Sequence, residues 1–343
     1  MVAVALALCA VPALAERLRI ATWHAPLSRD GPGVLIRDIQ RGKADAAIRQ
    51  IAELRADILL LTSIDFDLDL FALTALRDAV AESGWRYDHL FALPPNTGVP
   101  TGLDLDRNGR FGEGRDAQGF GRFQGQAGMA LLSRHPIATA DVRDLSGLLW
   151  RDVPGSRMPM DYFGPEAQDI LRLSHSGHWI VPVTVNDDTL TLLAFAAGPP
   201  VFDGPEDRNG LRNADEIALW QHVLDGAVGT APRPPFTIIG NANLDPFDGD
   251  GRREVIATLL ADPRLQDPAP EGPGGLAAAN PEHRGPPARD NADFRDPVPG
   301  NLRTSYVLPS ADLRVTGSGV AWPEDAPPSE RSRHFPVWVD IEW

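Results

Sequence analysis

Cysteine and lysine are almost missing from this sequence. Cysteine occurs once, as Cys9, and lysine once, as Lys43, in a chain of 343 residues. A single thiol excludes an intramolecular disulfide and a metal site built from several thiolates. Lys and Arg form no basic run, and the formal net charge is −15. Because such a chain repels a polyanion, we expect it not to bind nucleic acid non-specifically.

Long apolar runs are scarce as well. The apolar segment that ends in Ala13-Leu14-Ala15 is too short to span a bilayer as a helix. Its small-x-small ending, followed by the polar Glu16, is typical of a signal-peptidase site. We therefore predict a signal peptide over residues 1–15 that is cleaved after Ala15. The mature domain, residues 16–343, would have no cysteine and no integral membrane segment, and would be periplasmic or secreted.

The apolar patterns predict strands mixed with amphipathic helices. Strands are predicted over residues 18–23, 57–62, 85–91, 128–133, 137–142, 178–185, 189–196 and 236–240. Helices are predicted over residues 36–54, 70–81, 213–224 and 252–260, with Asn213 as an N-cap. Since hairpins interrupt any regular βαβ repeat, the pattern indicates an α/β fold of two packed mixed sheets with helices outside.

Seven short motifs follow one another along the chain. They are Arg19-Ile-Ala-Thr-Trp-His24, Ala56-Asp-Ile-Leu-Leu-Leu-Thr-Ser63, Gly128-Met-Ala-Leu-Leu-Ser-Arg134-His-Pro136, Ser174-His-Ser-Gly-His178-Trp, Gly240-Asn-Ala-Asn243-Leu-Asp245-Pro, Leu302-Arg-Thr-Ser-Tyr-Val-Leu-Pro-Ser310 and Ser332-Arg-His334-Phe-Pro336. Their order and spacing resemble the endonuclease/exonuclease/phosphatase superfamily over essentially the whole chain after Glu16. The resemblance implies a four-layered α/β sandwich, and hydrolysis of phosphodiesters or phosphomonoesters with Mg²⁺ or Mn²⁺ at one edge.

The resemblance also implies which positions hold the metal, the water and the phosphate. Three of these positions keep the residue of the family, namely His178, His334 and Asn243. Six depart from it: His24 replaces Asn, Ser63 replaces Glu, Ala196 replaces His, and Asn241, Ser305 and Arg333 each replace Asp. The departures remove most of the acidic residues that this chemistry uses.

Loss of these acids has a direct chemical consequence. Mg²⁺ prefers oxygen ligands and usually one or two carboxylates, and attack of water on phosphate needs charge neutralisation and a base. Removing one preorganised electrostatic contact commonly costs about 10²–10³ in rate. We therefore expect a pseudoenzyme that keeps the fold, has no phosphoesterase activity, and serves a ligand-binding or structural role.

Two other interpretations stay open. One is an active metal-dependent phosphodiesterase or phosphatase with rearranged ligands, drawn from Asp65, Asp67, Asp245 and His24, or a zinc site made from His24, His175, His178 and His334. The other is a calcium-dependent surface module. Asp104, Asp106 and Asn108 have the spacing of oxygen ligands that opens a calcium loop. Ca²⁺ and Mg²⁺ are thus the candidate cofactors.

Two arginines stand just before the helix predicted over residues 213–224. Arg208 and Arg212, together with a helix N-terminus, could hold the anionic group of a small phosphorylated ligand. Neighbouring acids offer a plainer alternative, in which both arginines form ordinary ion pairs. The sequence leaves both interpretations in place.

Overall fold

A computed structural model of the chain describes residues 16–322 and 333–343. The predicted signal peptide over residues 1–15 and Ser332 of the last motif lie outside the described residues. Among the described residues, no helix combines the length and the apolar character that crossing a lipid bilayer requires.

The described chain mixes strands and helices without a regular alternation. The strands are β1 (Arg17–Leu27), β2 (Ile58–Ile64), β3 (His89–Phe91), β4 (Gly128–Ser133), β5 (Arg143–Asp144), β6 (Gly177–Val185), β7 (Asp188–Ala196), β8 (Phe236–Asn241), β9 (Ala292–Asp293), β10 (Asn301–Leu302), β11 (Ser305–Pro309), β12 (Arg314–Val320) and β13 (Val337–Glu342). The helices are α1 (Val34–Gln40), α2 (Asp45–Leu54), α3 (Phe71–Glu82), α4 (Pro165–Ile170), α5 (Arg208–Leu224), α6 (Arg253–Leu260) and α7 (Pro273–Ala277).

Two mixed sheets form the centre of the molecule. The first has the strand order β12-β13-β1-β2-β4-β3, in which β1 and β2 are parallel and the other pairs antiparallel. The second has the order β11-β8-β7-β6-β5, in which β7 and β8 are the parallel pair. Strands β9 and β10 pair separately as a short ribbon.

Side chains on both faces of each sheet are buried. Along β6, for example, Trp179 and Val181 pack between the two sheets, whereas Ile180 packs under the helices. Helices α1, α2 and α3 cover the outer face of the first sheet, and α5 and α6 cover that of the second. Burial on both faces explains the continuous apolar runs of the central strands. The predicted four-layered α/β sandwich is confirmed.

Three local predictions were wrong. The helix predicted over residues 36–54 is divided into α1 and α2 by a turn that contains Gly42 in the left-handed region (φ +72°). Asn213 does not cap a helix, because α5 already begins at Arg208 and buries Asn213 within it. Residues 137–142 form no continuous strand, since this segment carries the chain from β4 in the first sheet to β5 in the second.

Candidate functional site

A cavity of about 560 Å³ opens where the ends of four central strands meet. His24 lies in β1, Ser63 near the end of β2, Ala196 at the end of β7, and Asn243 just after β8, and all four line the cavity. A volume of this size is ordinary for a site that binds a small molecule. The fold thus brings together four of the residues predicted from the sequence.

Irregular backbone aims two of these side chains into the cavity. Ser63 has a φ of +60° and lies where the pairing of β2 shifts register between Thr62 and Ile64. Asn243 has a φ of +50°, and its Nδ2 donates a hydrogen bond to the carbonyl of Ala197 at 2.8 Å. Such bulges commonly redirect side chains beside functional sites.

Burial keeps the His24 ring neutral, and its hydrogen bonds select the tautomer. Asn241 Oδ1 accepts the backbone N–H of Asn243 at 3.2 Å, which turns Asn241 Nδ2 toward His24 Nδ1 at 3.0 Å. Thr62 Oγ1 lies 2.9 Å from the same nitrogen. Nδ1 is therefore an acceptor, and Nε2 carries the proton. Burial lowers the pKa of His24 to about 4, so the ring is uncharged at neutral pH.

His175 and His334 stand near His24 but are also engaged. His175 lines the cavity, and its Nε2 accepts the N–H of Phe120 at 3.2 Å. Burial lowers the pKa of His175 to about 3. The ring of His334 lies 4.4 Å from that of His24, with its Nδ1 3.4 Å from Thr304 Oγ1. Burial holds the pKa of His334 well below its ordinary value.

His178 lies away from the cavity. It points to the helix side of the second sheet, where its ring contacts Phe195 and Trp220 at centroid distances of 5.6 and 5.2 Å. Its Nδ1 lies 2.7 Å from Ser174 Oγ, and its Nε2 lies 3.0 Å from the carbonyl of Glu216. Burial lowers the pKa of His178 to about 4. With no exposed surface, this ring joins β6 to α5 and touches no space that a ligand could enter.

The side chains at the remaining predicted positions are either neutral or lie away from the cavity. Asn241 is fully buried behind His24, while Ala196 presents only a methyl group to the cavity. Ser305 is 1% exposed, and its Oγ has no hydrogen-bond partner among the described residues. Arg333 is exposed at the surface and does not line the cavity. A positive charge at Arg333 therefore adds nothing to the cavity wall.

The group of oxygen ligands that Mg²⁺ requires does not assemble here. Of the described residues that line the cavity, Glu216 is the one carboxylate. Both of its oxygens accept backbone hydrogen bonds, from His175 N at 2.5 Å and from Gly198 N at 2.8 Å. Burial raises the pKa of Glu216 to about 7, against the opposing effects of Arg212 and of these two amides. The donor set at this edge does not fit a hard divalent ion.

The acidic residues considered as replacement ligands are committed elsewhere. Asp65 accepts the backbone N–H groups of Arg29 and Ala127 at 2.8 and 3.0 Å. Asp67 accepts two N–H groups at the start of α3. Asp245 accepts three backbone N–H groups, at 2.6, 2.7 and 2.9 Å. None of these three lines the cavity.

Two arginines lie on the cavity wall, on successive turns of α5. Arg208 Nη1 donates to the carbonyl of Leu105 at 2.9 Å, and Glu206 Oε1 stands 3.9 Å from Arg208 Nε. Arg212 donates through Nε to Leu173 O at 2.7 Å and through Nη2 to two further carbonyls. Glu216, which the sequence analysis missed, lies four residues after Arg212. That i, i+4 spacing on one helix face is the signal that would have found it.

The predicted calcium loop also forms a cluster. Carboxylate oxygens of Asp104, Asp106 and Asp116 lie within 4.8 Å of one another, the one such group of His, Cys, Asp or Glu ligands in the described part of the chain. Asn108 instead bonds inside the loop, with its Nδ2 2.7 Å from Glu113 Oε2. The structure therefore brings in Asp116 as a third carboxylate, while Asn108 is engaged by Glu113.

Comparisons with known proteins agree with this architecture. The model of the Endonuclease/Exonuclease/phosphatase family matches residues 39–334. No curated protein matches the sequence. Three solved structures are similar over 95% of this chain: a family protein from Leptotrichia buccalis C-1013-b (15% identity, TM-score 0.54, 100% of that chain), sphingomyelinase C from Streptomyces griseocarneus (17%, 0.51, 99%) and the 3'-5' exonuclease NExo from Neisseria meningitidis (16%, 0.51, 100%). At these identities the likeness establishes the fold.

Proposed function

This chain belongs to the endonuclease/exonuclease/phosphatase family, and we propose that it keeps the family fold without phosphoesterase activity and binds a small ligand in the cavity. Export to the periplasm or beyond the cell is part of the same proposal, and rests on the Ala13-Leu14-Ala15 ending of the first segment.

One observation carries the proposal, namely that the strand-end cluster of His24, Ser63, Ala196 and Asn243 contains no charged side chain. Burial leaves the His24 ring uncharged, Asn241 donates to it, and Ser63 stands where the resemblance places a carboxylate. A divalent cation would find no anionic oxygen there to offset the loss of its hydration shell. Water near Asn243 would likewise meet neither a metal nor a charged base.

The cavity itself supports a binding role. It retains the volume of a small-molecule site, and Arg208 and Arg212 place positive charge on its wall. A small phosphorylated ligand is therefore a suitable class to test first. The net charge of −15 disfavours a nucleic acid as that ligand.

The test is a phosphoesterase assay on the purified mature chain. Bis-(p-nitrophenyl) phosphate and p-nitrophenyl phosphate are supplied in turn with Mg²⁺, Mn²⁺, Ca²⁺ or Zn²⁺. We expect the wild-type rate to equal that of Asn243→Ala and of the surface control Asn186→Ala. Metal-dependent turnover that Asn243→Ala abolishes and Asn186→Ala preserves would overturn the proposal.

A calcium site in the loop of Asp104 and Asp106 is a second candidate function, which the juxtaposition with Asp116 favours. Three carboxylates in one loop suit the weak affinities typical of calcium sites outside cells, about 10⁻⁴–10⁻³ M. Calcium at 100 times the dissociation constant would stabilise the fold by about 2.7 kcal/mol. Thermal unfolding with and without Ca²⁺ tests this. A shift that persists in Asp104→Ala/Asp106→Ala, or that the exposed control Asp78→Ala also loses, would refute the site.

A further inference from the structure

The wall of the cavity opposite the strand ends is apolar. Trp150 and Phe163 line it and pack edge to face with their ring centroids 6.1 Å apart. Leu105 and Leu171 extend the same surface. All four side chains are at most 6% exposed, so this part of the wall is a packed apolar surface that offers a ligand no polar group.

Two aromatic side chains stand exposed at the mouth of the cavity. Phe120 is 54% exposed and Phe202 is 74% exposed, and both line the opening. Phe202 also has a φ of +74°, a left-handed conformation that a bulky residue rarely adopts. Strained conformations of this kind tend to cluster at ligand sites. The mouth is therefore built to receive an apolar group.

Positive charges outnumber carboxylates among the residues that line the cavity. Arg208 is 8% exposed, its buried Nε makes no hydrogen bond, and Glu206 Oε1 stands 3.9 Å from that nitrogen. The guanidinium of Arg212 is hydrogen-bonded to backbone carbonyls, and within the described residues no carboxylate oxygen lies within 4.0 Å of it. Arg115 adds a third cation at the rim, 4.0 Å from Asp106. Glu216 is the one opposing acid on the wall, so the cations outnumber it.

We propose that the cavity binds an amphipathic acid, a small molecule whose carboxylate or phosphate pairs with Arg208 and Arg212 and whose apolar body packs against Trp150, Phe163 and the mouth. This inference rests on the proposed binding function and specifies the ligand. A bare anion would leave the exposed rings of Phe120 and Phe202 uncovered, and a neutral apolar molecule would bring no anion to the positive charge of the wall.

Isothermal titration calorimetry tests the inference with four probes below any micelle concentration: octyl phosphate, octanoate, octanol and inorganic phosphate. We expect one or both amphipathic acids to bind, and octanol and inorganic phosphate to bind at least about tenfold more weakly, as expected from the loss of a charge-assisted hydrogen bond or of apolar burial. The stronger of the two acids identifies the head group.

Variants separate the two halves of the site. Arg208→Gln should weaken binding of the preferred acid by at least about tenfold, and Phe202→Ala by about fivefold, whereas Arg122→Gln on the exposed surface should change nothing. Phe202→Ala keeps the test decisive if Arg208→Gln fails to fold, because Phe202 is exposed. The inference would be overturned if octanol or inorganic phosphate bound as tightly as the acids. Loss of binding in Arg122→Gln would also overturn it. Metal-dependent turnover would instead overturn the proposed function. If the protein shows neither turnover nor binding of these probes, only the choice of ligand is overturned.

Discussion

Glu216 provides a quantitative test of the electrostatics of the cavity. Its carboxyl group is fully buried, and burial raises its pKa from 4.5 to about 7. Between these values the folded protein holds a proton that the unfolded chain has released. The contribution of Glu216 to stability is therefore complete below pH 4.5 and is lost as the pH rises through 7. At 1.36 kcal/mol for each pH unit, the full loss is about 3 kcal/mol.

The variant Glu216→Gln removes this titration. A glutamine has one acceptor oxygen, so it cannot accept from both His175 N and Gly198 N, and a constant penalty of about 1–3 kcal/mol is expected at every pH. The pH-dependent part is separate from that penalty. Between pH 5 and pH 8, the wild-type protein should lose about 2–3 kcal/mol relative to Glu216→Gln.

The assay is urea unfolding at pH 5, 6, 7 and 8 for the wild-type protein, Glu216→Gln and the exposed control Glu82→Gln. Comparing variants at each pH cancels the titration of the other buried groups. The control should run parallel to the wild-type curve. Parallel curves for the wild-type protein and Glu216→Gln would show that Glu216 is ionised in the folded protein throughout this range, and the reasoning about its burial would fail.

Two further substitutions examine the histidines. His178→Ala should lower the free energy of unfolding by roughly 2–4 kcal/mol, because it leaves a cavity beside Phe195 and Trp220 and removes the partner of Ser174 Oγ. It should not change binding of octyl phosphate by calorimetry, and lost binding in a folded variant would contradict this placement. Asn241→Asp should cost about 3–5 kcal/mol at pH 8 and raise the pKa of His24, because it buries a carboxylate beside that ring. An unchanged His24 titration by NMR and unchanged stability would refute the contact between residue 241 and His24.

The layering of two sheets was predictable because the central strands are continuous apolar runs. The strands expected over residues 178–185 and 189–196 form the β6–β7 hairpin, and the helix expected over residues 70–81 appears as α3. Gly42 after α1 and Asp207 before α5 are residue types that favour helix ends, so both boundaries could have been predicted. Asp207 nevertheless makes no capping hydrogen bond in the structure.

Four of the nine family positions singled out from the sequence line the cavity. His24, Ser63, Ala196 and Asn243 lie together there, since strand ends at one edge of the sheets converge. His178 differs because alternation along β6 turns it toward α5, and a single sequence does not say which face of a doubly buried strand meets the cavity. The aromatic wall is formed by loops after residue 100 and by residues 150–171. Tertiary contacts alone bring these segments to the cavity, so local sequence patterns do not predict the wall.

A manganese soak shows whether the neutral strand-end cluster can hold a divalent cation. Crystals of the mature protein would be soaked in Mn²⁺, and anomalous scattering would locate any bound ion. We expect no ion beside Asn243, Ser63 and His24. An ion at that position with complete oxygen coordination would show that these neutral side chains do hold a divalent cation.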